Sequence, residues 1–73
     1  MQMNREVSSQ LIELMLDIGK RLNESVYLVQ SGCPESEFDR YRSAVGQLMG
    51  TIFIDIMNPI FMEYPGLKPE KLK

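Results

Sequence analysis

Histidine and tryptophan are absent from this 73-residue chain, and cysteine occurs once. Without histidine the commonest general base and metal ligand is missing. Cys33 alone can form neither a thiolate metal site nor an internal disulfide. The five glycines, at 19, 32, 46, 50 and 66, match no phosphate loop and no nucleophile elbow, and no calcium loop is present. The sequence therefore predicts no metal, no cofactor and no enzymatic activity. An excess of positive charge is also lacking: eight Lys and Arg stand against ten Asp and Glu, for a net charge of -2. The Arg residues are scattered among acids and only Lys68, Lys71 and Lys73 cluster, so a nucleic-acid backbone is not an expected partner.

Long apolar runs are missing as well. The stretch from Leu48 to Met62 is interrupted by Asp55, Asn58 and Pro59, and it falls short of the roughly 20 residues of a membrane span. The opening Met1-Gln2-Met3-Asn4-Arg5-Glu6 lacks the basic and apolar regions of a secretory signal. These features, with one unpaired cysteine, predict a cytoplasmic protein outside the membrane.

What is present is helical periodicity. Asn4 can cap a helix over about residues 4–30, in which Val7, Leu11, Leu14, Ile18, Leu22, Val26 and Val29 recur at spacings of three and four. Asp17 with Arg21, and Lys20 with Glu24, stand four residues apart on its polar side. Gly32 offers a left-handed stop. Pro34 then suits a first turn, opening a second helix over about 34–57 with Phe38, Tyr41, Val45, Leu48, Met49, Ile52, Phe53 and Ile56 as its buried stripe. Asn58-Pro59 should end or kink this helix, or else start a short segment over about 59–64. A flexible tail is expected over 67–73.

Several residues stand out against this scaffold. Cys33 beside Pro34 lies near an expected helix N-terminus, where a thiol can become reactive, or it is an ordinary loop residue. Gly46 and Gly50 lie one turn apart in a helix interior, each at a cost of about 0.5–1 kcal/mol relative to Ala, which close approach of another backbone would offset. Arg42 falls within the apolar stripe, so it must pair with an acid, contact a ligand or partner, or extend its head into water. Met49, Phe53, Phe61, Met62 and Tyr64 have the Met-rich and aromatic character of adaptable contact surfaces, as well as of core.

The expected fold is all-α: an antiparallel helical hairpin with a short C-terminal helical segment, in one domain over residues 1–73. On helix one the apolar positions fill an arc of about 160°, with Leu16 and Leu28 beyond its edges, at 100° per residue. One partner helix cannot cover that arc, so pairing of two copies into a four-helix bundle is expected. The leading functional expectation is a non-enzymatic, homodimeric interaction or structural module. Two others are a small apolar-ligand carrier with a pocket at the subunit junction, where Arg42 holds an anionic head, and an antitoxin-like or adaptor regulator of a protein partner.

Overall fold

A computed structural model describes residues 3–69. Helix α1 spans Arg5–Gly32 and helix α2 spans Glu35–Thr51. The chain then passes through a π-helical turn, Ile52–Met57, into α3, Asn58–Glu63, and ends in a 3-10 turn, Pro65–Leu67. No strand occurs among the described residues, and the fold is all-α. Residues 70–73 of the expected tail lie outside the described residues.

Local chemistry sets the first boundaries. The Asn4 side chain accepts a hydrogen bond from the Val7 N–H at 2.8 Å, as its capping role requires. The other end of α1 departs from expectation, because Gly32 remains helical and no glycine has a positive φ among the described residues. Cys33 terminates the helix in an extended conformation, φ -131° and ψ 160°, while its N–H still donates to the Val29 carbonyl. Pro34 explains this, since its ring drives the preceding residue out of helical angles. The Pro34 carbonyl then accepts from the Glu37 and Phe38 N–H groups and opens α2.

At Asn58-Pro59 the backbone stays helical, but the i to i-4 hydrogen-bond ladder is interrupted just before the proline and α3 opens with Pro59 in its first turn. Asn58 is itself helical, φ -62° and ψ -45°, and helical backbone runs for 29 residues from Glu35 to Glu63. The ladder changes pitch upstream of the proline: the Asn58 N–H reaches back five residues to the Phe53 carbonyl. Pro59 has no N–H for the carbonyl four residues before it, and its ring would crowd that carbonyl in an α-helix. A turn widened by one residue relieves both problems without stopping the helix.

The wider turn also decides what is buried. At a constant 100° per residue, Met57 and Phe61 would lie about 120° and 160° away from Val45, on the solvent side. One extra residue in the turn rotates them back by about 100°. Met57, Ile60 and Phe61 accordingly join Ile12 in the core cluster, with Leu11, Met15, Ile52 and Ile56 packed around it. Within the expected stripe on the second helix, Val45 is buried and Ile52 and Ile56 pack against the core, whereas Leu48, upstream of the π turn, and Phe53, about 80° from Val45 at α-helical pitch, are exposed.

Contacts between the two long helices run in opposite chain directions. Tyr41 donates to the Ser25 hydroxyl at 2.8 Å, Met49 lies over Gly19, Met57 and Ile60 pack on Ile12, and the Tyr64 hydroxyl donates to the Met3 carbonyl at 2.8 Å. The outcome is a rod measuring 44 × 20 × 16 Å.

A candidate binding groove between the helices

Two antiparallel helices leave a seam on each flank, and here the two flanks differ. On one flank Val7, Leu14 and Ile18 of α1 form an exposed apolar stripe beside Leu48, which lies two turns beyond Tyr41 on α2. Leu14 is 56% exposed. The opposite flank is concave. A groove of about 540 Å³ runs there between Leu16 and Tyr27 on α1 and Met49, Phe53 and Met57 on the facing helix. A further hollow of about 340 Å³ continues it toward Gln30, Phe38 and Arg42, sharing Asn23, Tyr27 and Met49 with the first.

The composition of α1 and the π turn together produce this hollow. The Met49 side chain lies against α1 at Gly19, its Cε at an ordinary contact distance of 3.8 Å from where a Cβ would stand. Phe53 stands at the groove edge, 38% exposed, and Met57, which the π turn carries to the inside, lines the groove as well. Lys20 and Glu24, which form no ion pair with each other, both line the groove. The expected pair one position away does form, Asp17 to Arg21 at 3.3 Å. It is solvent-exposed and contributes about 0–1 kcal/mol.

The sequence-derived candidates separate into distinct environments. Met49, Phe53 and Gly46 line the continuous groove, and Arg42 stands at its far end. The Arg42 guanidinium lies 5.5 Å from the centre of the Phe38 ring and 3.5 Å from an Asp39 carboxylate oxygen, largely in solvent. Its head therefore stays hydrated between the Phe38 ring and the Asp39 carboxylate. Phe61 is buried in the core, and Ile56 packs against that core, so neither lines the groove. Tyr64 is bound to Met3, and Met62 projects outward at 77% exposure. The segment from Phe61 to Tyr64 therefore serves both core and surface, because consecutive helical residues point in different directions.

Gly46 and Gly50 approach no other backbone within the chain, and a Cβ at either position would meet nothing within 4 Å. Cys33 is exposed in the two-residue connection, at the C-terminus of α1 and not within the first turn of α2. Leu16, Asn23 and Tyr27 complete the groove wall, and no chemical motif in the sequence marks Asn23 or Tyr27. Leu16 had a visible signal, as an apolar residue beyond the edge of the main arc. No protein-family model, no curated protein and no solved structure matches this chain.

Proposed function

We infer that the protein is a non-catalytic, cytoplasmic interaction module that works as a homodimer, its two helical pairs joined through the apolar flank of Val7, Leu14, Ile18 and Leu48 into a four-helix bundle. The observation carrying this reading is that stripe: four large apolar side chains on one flank, each about 40–55% exposed. Burial of such side chains is worth about 1.5–3 kcal/mol each, so covering the exposed portions contributes several kcal/mol on a scale where whole domains have about 5–15.

Size supports the same reading. The chain exposes 5558 Å², whereas a compact monomer of 8.4 kDa exposes about 4,600 Å². The excess is comparable to the roughly 800 Å² that each partner contributes to a standard interface. The helix Glu35–Glu63 is long and apolar enough to cross a membrane by length and composition, and only 22% of its most apolar window is buried within the chain. Asp55 and Asn58 within that apolar stretch favour water over lipid.

Light scattering across a wide concentration range provides the test. A mass of two chains at micromolar concentration, reduced to one chain in Leu14→Glu, is the expected result. A folded wild-type monomer at that concentration would overturn the reading.

A further inference from the structure

We propose that the concave flank binds one single-chain anionic amphiphile, a long-chain fatty acid, with its tail along Met49, Phe53 and Met57 and its carboxylate at Arg42. The site lies within one chain, on the flank opposite the pairing stripe, so it does not depend on self-association.

Three observations converge on this ligand class. The groove is polarised from end to end: Met15, Leu16, Ile52 and Met57 surround one end, while Arg42, Gln30 and Asn23 supply hydrogen-bond donors toward the other. Its lining carries two cations, Lys20 and Arg42, against one acid, Glu24, in a chain whose net charge is negative. A carboxylate is complementary to that arrangement, and the planar guanidinium can hold it through two parallel hydrogen bonds. Asp39, at 3.5 Å, competes for the same guanidinium from outside the groove lining, but across a solvent-exposed contact that water weakens.

The dimensions agree. From Leu16 to Gln30 the groove follows α1 for about 21 Å at 1.5 Å per residue, long enough for an extended acyl chain. The combined hollow lies within the range of about 300–1,000 Å³ typical of small-molecule sites. Met49 and Met57 provide unbranched, polarizable walls that adjust to a flexible chain. The open space over Gly46, one turn from Arg42, leaves the tail a path past the head-group end.

The test titrates the intact protein with monomeric myristate below its micellar concentration, with tetradecyltrimethylammonium as the oppositely charged counterpart. Saturable binding of one myristate per chain is expected, tighter than binding of the cation. Arg42→Gln should weaken myristate binding by about tenfold and leave the cation unaffected. Gly46→Leu places a side chain in the open channel and should abolish binding while circular dichroism shows an intact helical fold. Absence of saturation, or equal affinity for the two amphiphiles, would overturn the proposal. So would co-sedimentation with phosphatidylglycerol vesicles in the absence of myristate binding, which would make this flank a membrane surface. A change in ligand-free molar mass in Gly46→Leu would assign the groove to a second copy and overturn the proposal equally, whereas loss of the dimer in Leu14→Glu with myristate binding retained would support it.

Discussion

At the scale of single residues, burial is concentrated in few side chains, so equal truncations should have very unequal effects. Ile60 is 1% exposed at the centre of the core cluster. Ile60→Ala should cost about 2–5 kcal/mol, since it removes buried methyl groups and leaves a cavity. Leu28 is 74% exposed, and Leu28→Ala should change stability by no more than about 0.5 kcal/mol. Urea unfolding followed by circular dichroism measures both, and equal losses would show that the core is placed elsewhere. Tyr64→Phe isolates one hydrogen bond, from the hydroxyl to the Met3 carbonyl. Its removal should cost about 0.5–1.5 kcal/mol while the ring remains in place.

The π turn dominates the element scale. It is one residue longer than an α turn, and it reconciles Pro59 with burial of Met57, Ile60 and Phe61. Deleting Ile54, an exposed residue within the turn, would restore α-helical pitch and keep those three facing α1. Pro59 would then lie in an ordinary α-helix at a cost of about 3 kcal/mol. The single deletion should therefore be strongly destabilised, and combining it with Pro59→Ala should recover most of the loss in a thermal melt. Equal stability of the two deletion variants would show that the proline does not cause the wide turn. This element also marks the limit of what the sequence reveals. The Asn4 cap, the polar and apolar sides of α1 and the approximate helix ends are legible because they follow from local spacing and side-chain chemistry. On the second helix a constant rotation per residue places Met57 and Phe61 on the solvent side, which the π turn reverses, while Leu48 departs from the stripe upstream of that turn. Pro59 is conspicuous in the sequence, but its effect appears as a change of phase seven residues upstream. The sequence marks Met49, Phe53 and Arg42 on one helix as contact residues, but for a subunit junction and not for a groove within one chain. Their facing wall, Leu16, Asn23 and Tyr27, depends on the register between helices, which no local pattern encodes.

At the scale of the whole molecule, the chain is longer than a compact fold of its size: its radius of gyration is 14.5 Å, against about 11 Å expected for 73 residues. If pairing covers the apolar flank, the melting temperature should rise with protein concentration, because the bound form is favoured by mass action. A midpoint independent of concentration over a hundredfold range would argue against a dimer that stabilises the fold. The distribution of contacts within one chain has a separate consequence. The densest packing, around Ile12, Met57 and Ile60, lies far from the two-residue connection, and the Tyr64 to Met3 bond joins residues 61 positions apart. Near the connection, Tyr27, Leu28, Cys33 and most of the first turns of α2 are exposed. Chain ends ordinarily open first, but here the order should be reversed. In native-state hydrogen exchange, the amides of Met57, Asn58, Ile60 and Phe61 should be the slowest, while those of residues 26–30 and 38–42 exchange earlier, so that the rod unzips from its closed end toward the end where Tyr64 holds Met3.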